Sequence, residues 1–277
     1  MDKVRLALCC IAKLENPYID EWVQHHLAIG FDHIFIYDNN DEDYEYVGDR
    51  ISKNKDSVTI VPWRKRQQVG MQEEAYTDCY RTNGGNYDFM AFLDVDEFLV
   101  LRSNESLKDK LKKITADNVI IPWVVYTYNG LYSRDLNTSV VESFKETTPD
   151  DCFYVKSIVR TKLPTMLEKG CSVHGQYGAT SYSDIDGESL VPLVPHPKNE
   201  NSYTVNKWSQ FENFGGCRTA VINHYRFKSV DEFIEFKLKR LYCNNDPEVK
   251  EGLIKKFLKS IKQDEREQVE SYIRARI

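Results

Sequence analysis

The sequence predicts an α/β domain built on a mostly parallel central sheet flanked by helices. Three observations carry this. Short, nearly continuous apolar runs recur through the first half, at residues 4–11, 33–37, 58–61, 89–93 and 118–126. Stretches with helical spacing separate most of them, and β alternating with α at short intervals is the pattern of a parallel sheet with helices on both faces. Three acids, Asp94, Asp96 and Glu97, follow directly on the run 89–93, and the carboxyl ends of strands are where open α/β sheets hold ligands.

The run 4–11 (VRLALCCI) reads as a buried strand with Cys9 and Cys10 on opposite faces. Asn16 is expected to cap a helix, with Pro17 at its first position. Ile19, Trp22, Val23 and Leu27 share one helical face, and Gly30 ends the helix. A second strand at 33–37 leads into the polar loop DNNDED, an amphipathic piece covers 44–51, and a third strand follows at 58–61. A helix is expected over 67–81, stopped by Asn83-Gly84-Gly85, then the strand 89–93, a helix at 105–114 and a strand at 118–126. Residues 127–219 change character, with short strands and many turns, of which 152–161 is the clearest strand. Residues 184–204 are rich in Pro, Gly, Asn and Asp and read as a loop, and 191–197 is a candidate lid. A strand at 220–224, a helix at 230–241, a helix capped by Asp246-Pro247 and a charged helix to 277 complete the chain. The expected division is a domain of residues 1–228 with a C-terminal helical extension, 229–277, packed on it.

Length and composition bound the function. The 277 residues suit one large domain or two small ones. A net charge of −6 argues against a nucleic-acid partner, which would favour a basic face. Seven cysteines without a CxxC pair argue against a zinc site or a disulfide framework. No stretch approaches the roughly 18–20 apolar residues of a membrane span. The N-terminal run is read as a strand rather than a targeting segment, which places the chain in the cytoplasm. Lys255, Lys256, Lys259 and Lys262 lie among apolar residues of the last helices. They fit a solvated face, a dimer contact or a peripheral contact with the inner face of a membrane.

Carboxylates anchored at a strand end repel one another unless a cation sits between them. Mg²⁺ and Mn²⁺ take oxygen ligands and share them with phosphates, so the cluster suits a metal–diphosphate. The plainer reading is that these acids cap the next turn. A phosphatase of the haloacid-dehalogenase type also uses two such aspartates, but on its first strand, whereas about ninety residues precede Asp94 here.

Four blocks in order, KLENPYIDEWVQHHLAIGFDHIFIYDNND, QEEAYTDCY, FMAFLDVDEFLVL and INHYRFKSVDEFIEFKLKR, resemble glycosyltransferases of the GT-A fold, and within them the family-92-like and family-2-like group. The resemblance covers most of residues 5–240. It implies a metal-dependent hexosyltransferase with Mn²⁺ or Mg²⁺ as cofactor and inverting stereochemistry. The implied donor is a UDP-linked hexose such as galactose. The implied acceptor is a glycan or lipid-linked saccharide of surface polysaccharide or lipopolysaccharide assembly.

On that resemblance Asp94 and Asp96 are the DxD pair, Asp96 as metal ligand and Asp94 toward ribose or a metal-bound water. His224 supplies a third metal ligand, and Lys228 neutralises the β-phosphate. Asp38 would meet the base and Asn39 or Asn40 the ribose, beside Ala12, Lys13 and Glu15. The alternative for Asp38 is an Asx-turn. Gln72 would shape the donor pocket, and one of Arg64, Lys65 and Arg66 would face an anion. Glu97 pairs with a nearby Lys or Arg, or orients a ligand. The general base is sought among His174, Asp184, Asp186 and Glu188, with His174 leading. Trp208, Phe211 and Phe214 form either a sugar-stacking shelf or core, and His25 and His26 are structural. A non-catalytic carbohydrate-binding protein of the same fold is the rival reading, and an intact DxD and late histidine tell against it.

Overall fold

The computed structural model describes residues 3–64, 70–148, 154–174, 179–192, 211–212, 219–239 and 247–277. The chain opens with β1 (Leu6–Ala12), α1 (Asn16–Ile29), β2 (His33–Asp38), β3 (Val58–Pro62), α2 (Met71–Asn83) and β4 (Phe89–Phe92). It continues through β5 (Glu97–Leu101), α3 (Leu107–Lys113), β6 (Asn118–Val125), α4 (Val140–Ser143), β7 (Val155–Arg160) and α5 (Pro164–Lys169). Then come β8 (Tyr182–Asp184), β9 (Ser189–Pro192), β10 (Phe211–Glu212) and β11 (Ala220–His224). The last elements are α6 (Val230–Glu232), which runs on as a π-helical segment over Phe233–Leu238, then α7 (Pro247–Lys259) and α8 (Arg266–Arg274).

β1 lies at the centre of the parallel half. It pairs in parallel with β2 and with β4, and β3 extends the array beyond β2. The side-chain period of two sends Leu6, Leu8, Cys10 and Ala12 into the core under α1, against Ile19, Trp22 and Val23. Ala7 and Cys9 face the other way, against Ala75, Tyr76 and Cys79 of α2. This two-sided burial explains why the strand reads as a continuous apolar run. The four described cysteines, Cys9, Cys10, Cys79 and Cys171, are buried and free.

The α/β class expected from the sequence is present, and parallel pairing holds from β3 through β4. Beyond β4 the sheet is mixed. β7 pairs antiparallel with both β4 and β6, β8 and β11 lie parallel to β6, and β9 is antiparallel to β8. Parallel neighbours need long crossovers, whereas the short strands and turns of the second half permit direct antiparallel return.

Some boundaries also move. α1 begins at Asn16 itself, whose amide is not a cap: it donates to the Glu45 carbonyl at 3.0 Å and accepts from Asn40 at 2.9 Å, tying down the polar loop. Gly30 ends α1 at φ +119°, a left-handed conformation that glycine adopts without a Cβ penalty. The piece expected at 44–51 is a 3₁₀ turn over Val47–Arg50 only. α2 starts at Met71. Lys65 and Arg66, Cys152, Cys217 and Cys243, most of the candidate lid, Trp208, Phe214 and the side chain of Phe211 lie outside the described residues.

The turn between β4 and β5 carries the acids. Leu93 N still donates to the Cys9 carbonyl at 3.2 Å, and Glu97 N closes the turn onto the Asp94 carbonyl at 3.0 Å. β5 then pairs antiparallel with β11, which puts His224 opposite Glu97. Residues from 229 onward build their own apolar cluster, with Phe233, Ile254, Phe257, Val269 and Ile273 packed on Phe227 and Tyr128. A capping box of Ser229 and Glu232 starts α6, and the buried Arg134 guanidinium holds Glu232 at 2.8 Å. No helix among the described residues is long and apolar enough to cross a membrane.

Candidate functional site

The three acids of the β4–β5 turn have three different environments. Glu97 is fully buried. Its Oε2 accepts from Asp94 N at 2.9 Å and lies 3.2 Å from Lys156 Nζ, while its carbonyl accepts from Trp22 Nε1 at 2.8 Å. Burial holds the Glu97 carboxyl well above the usual carboxylate range despite Lys156. Asp94 accepts from Gln72 Nε2 and, at 3.2 Å, from Tyr76 Oη, and its other oxygen lies 3.2 Å from Lys156 Nζ. Burial pulls the Asp94 carboxyl up, and Lys156 together with His224 and His174 outweighs it, so the group sits below its ordinary value. Asp96 meets Lys237 Nζ at 2.8 Å and His224 Nε2 at 3.4 Å. Against burial, Lys237 first and then His224 hold the Asp96 carboxyl well below the usual range.

Asp94 and Asp96 open onto a cavity of about 650 Å³. Its inner wall is Trp123, Tyr154, His174 and His224, and Arg226 and Lys237 stand beside them. Trp123 is the hub, with ring centroids 4.3 Å from His224, 5.2 Å from His174 and 5.2 Å from Tyr154. His174 Nδ1 lies 3.2 Å from the Val155 carbonyl, so Nδ1 carries the proton and Nε2 is left as the basic nitrogen. Burial, and then Lys156, push the His174 imidazole down to about 4, so it is neutral at pH 7. Burial also lowers His224, with Asp96 partly offsetting it.

The expected metal set does not come together as three ligands. Carboxylate oxygen and imidazole nitrogen suit Mn²⁺ or Mg²⁺ in type, and Asp96 and His224 are adjacent. But Asp94 is turned toward Gln72, Tyr76 and Lys156, and Lys237 occupies the charged face of Asp96. Among the described residues no group of three or more His, Cys, Asp or Glu side chains could hold a metal ion.

The residues expected at the nucleotide gather elsewhere, at the carboxyl ends of β1, β2 and β3. Asn39 N donates to the Ala12 carbonyl at 2.9 Å, and Trp63 N to the Asp38 carbonyl at 2.9 Å. Asp38 is completely buried, and its carboxylate is occupied. It accepts from Asn40 N at 3.1 Å, which is the Asx-turn alternative, and from Arg64 at 2.9 Å. Asp38 and Arg64 therefore brace this loop. Asn39 donates to the Trp63 carbonyl at 2.8 Å, and Lys13 pairs with Asp41 at 2.6 Å. Lys228 does not line the cavity. It is buried over the Tyr18 ring at 4.1 Å, 3.9 Å from Glu15, and burial lowers its ammonium to about 8. Its backbone is left-handed, at φ +58°.

Two of the alternative bases are turn residues. Asp184 accepts from the backbone of Asp186 and Glu188 between β8 and β9, and Asp186 pairs with Lys110 at 2.8 Å. His25 and His26 clasp α1 to β5: His25 Nε2 lies 2.7 Å from the Leu99 carbonyl, and Leu99 N donates to His26 Nε2 at 3.2 Å.

The model of Glycosyltransferase family 92 matches residues 7–269. The chain belongs to glycosyltransferase family 92. The match runs past residue 240, where the resemblance read from the sequence stops, into α7 and α8. A Glycosyltransferase family 92 protein of Ricinus communis is 24% identical over 240 residues, 83% of this chain and 36% of that protein. One from Oryza sativa subsp. japonica is 30% identical over 110 residues, 39% of this chain and 18% of that protein. The chain thus spans well under half the length of these curated relatives. A crystal structure of S. aureus TarS 1–349 aligns at 15% identity over 66% of this chain and 53% of that one. Its TM-score is 0.35 and carries no argument about the fold.

Sequence reasoning missed Lys156, Lys237 and Trp123 at this candidate site. Lys156 had a signal, a charge next to the start of the strand-like VKSIVR. Trp123 sits in the apolar run of β6 and had none. Lys237 lies in the π-helical segment, whose wider turn brings it onto Asp96. Such segments recur at functional sites.

Proposed function

We propose that this chain transfers a hexosyl group from a nucleoside diphosphate sugar, UDP-linked on the sequence resemblance, to a glycan hydroxyl with inversion. The observation that carries the reading is the cavity where His174, Asp94 and Asp96 meet Lys237 and Arg226, in a chain of family 92. The nucleotide end belongs at the carboxyl ends of β1 to β3, where sheets of this kind hold ligands. There Ala12 and Asn39 shape the floor, and Asp38 holds the loop.

The acceptor hydroxyl gives its proton to His174 Nε2. Its oxygen forms the bond to the anomeric carbon, and the bond from that carbon to the β-phosphate oxygen breaks with its electron pair. Negative charge then builds on the leaving diphosphate. Lys237 and Arg226 line the same cavity and would face that charge where it develops. Asp96 positions Lys237, and Gln72 and Tyr76 fix Asp94 at the rim. Mn²⁺ or Mg²⁺ remains a proposal that rests on the donor types of Asp96 and His224.

The test is a donor screen. With UDP-hexoses and a mixed glycan acceptor, UDP release is expected to rise when acceptor is added. Release of inorganic phosphate without UDP would instead favour a phosphatase. Failure of any nucleoside diphosphate sugar to bind would remove the transferase reading.

A further inference from the structure

The wall of the cavity supplied by α7 has a charge out of keeping with the rest of the chain. The protein is acidic overall, at −6, yet Lys256, Lys259 and Arg266 line this wall. Neighbouring lysines on the outer side have partners: Lys255 lies 3.8 Å from Glu251, and Lys262 lies 3.8 Å from Glu146. Lys256 and Lys259, one helical turn apart, have no carboxylate partner among the described residues. Arg266 spends part of its guanidinium on the Ile261 and Lys259 carbonyls at 3.3 and 3.4 Å, which fixes it at the end of α7.

A second observation gives these cations a direction. A smaller cavity of about 320 Å³ adjoins the first and shares Thr148, Lys259, Ser260 and Arg266 with it. Lys259 and Arg266 therefore stand where the two spaces meet. On the transferase reading the donor's diphosphate lies beside Lys237, which leaves the second space to the acceptor, a chain that runs outward from the receiving hydroxyl.

We infer that the acceptor is an anionic glycan. A phosphate or carboxylate on a unit next to the one that receives the sugar is gripped by Lys256, Lys259 and Arg266. The inference rests on the transferase reading and names its substrate class. Charge-assisted hydrogen bonds from lysine and arginine to such groups are the strong kind. They also select against neutral glycans, because a neutral chain leaves the cations uncompensated.

Calorimetry on the whole chain tests this with three probes: an oligomer of galacturonic acid, the same oligomer fully methyl-esterified, and an oligomer of glycerol phosphate. At least one charged oligomer is expected to bind about tenfold tighter than the ester, a difference of about 1.4 kcal/mol. Which one does so separates carboxylate from phosphate. The preference is expected to shrink with added salt and to vanish in Lys256→Gln/Lys259→Gln, two exposed positions that carry no core packing. UDP affinity is expected to be unchanged in that variant. Charged oligomers that bind no better than the ester, or not at all, overturn the inference. A variant that loses UDP affinity overturns it too, since the cations would then serve the donor. Absence of UDP release from every UDP-hexose counts against the transferase reading, whereas the calorimetric preference is read without turnover.

Discussion

Glu97→Gln distinguishes two accounts of the acid cluster. The carboxylate is fully buried, 3.2 Å from the equally buried Lys156. If the pair were ionised, replacing Glu97 would leave Lys156 with Asp94 alone, and breaking a buried pair costs up to about 3–5 kcal/mol. Burial instead raises the Glu97 carboxyl well above its ordinary value, which favours its protonated form, and Asp94 is the second carboxylate that faces Lys156. Glutamine then keeps the shape and the bond from Asp94 N, and the loss is about 1 kcal/mol or less.

The pH dependence has a definite sign. A carboxyl whose folded pKa is raised binds its proton in the native state and releases it on unfolding. Its contribution is fully present below the unfolded value, 4.5, and is lost as pH rises toward the folded value. Wild-type stability should therefore fall as pH rises above the unfolded value, by at most about 1.4 kcal/mol per pH unit from this group. Glu97→Gln removes that slope. Urea unfolding at several pH values in EDTA reads the difference, with the variant gaining on wild type as pH rises. A variant 3–5 kcal/mol less stable at pH 7, with an unchanged pH slope, would refute the reasoning.

Other outcomes are expected. His174→Ala should lower transfer about 10²–10⁴-fold at unchanged UDP affinity, and wild-type activity should fall as pH drops through about 4, where the imidazole becomes charged; an acid limb untouched by the substitution would count against His174 as base. Lys237 already holds Asp96, so if that carboxylate is a metal ligand as proposed, Lys237→Ala should raise Mn²⁺ affinity about tenfold by calorimetry without nucleotide, and equal affinities would show that cation and lysine do not share it. Arg134→Met should destabilise by about 3–5 kcal/mol, because Glu232 is left buried beneath α6; the added change Glu232→Gln should restore much of it in denaturant titration.

The strands of the first half were legible as apolar runs, and α1 and α2 as long stretches of helical spacing. β1, β2 and α1 bury residues at spacings of two or of three and four, and Gly30 marks an end that only a left-handed residue makes easily. β11 also fell where expected, at Ala220–His224. The antiparallel course of β7 was not legible, because strand direction leaves no trace in an apolar run. Within the site, the acids and both histidines stood out through unusual residue types at strand ends. The fates of Asp38 and Lys228 did not, because the same polar residue at a strand end can face outward or anchor a loop. Arg64 decided that for Asp38, and Tyr18 with Glu15 for Lys228.

The antiparallel run of β11 along β5 sets an order on how the site matures. The acids leave the ribosome well ahead of His224 and Lys237, which ride on the last quarter of the chain. Until that segment docks, Asp96 has neither counter-charge, and β5 presents a bare edge. A nascent chain halted before residue 220 would hold the acids of the β4–β5 turn open to water and would need shielding from its neighbours.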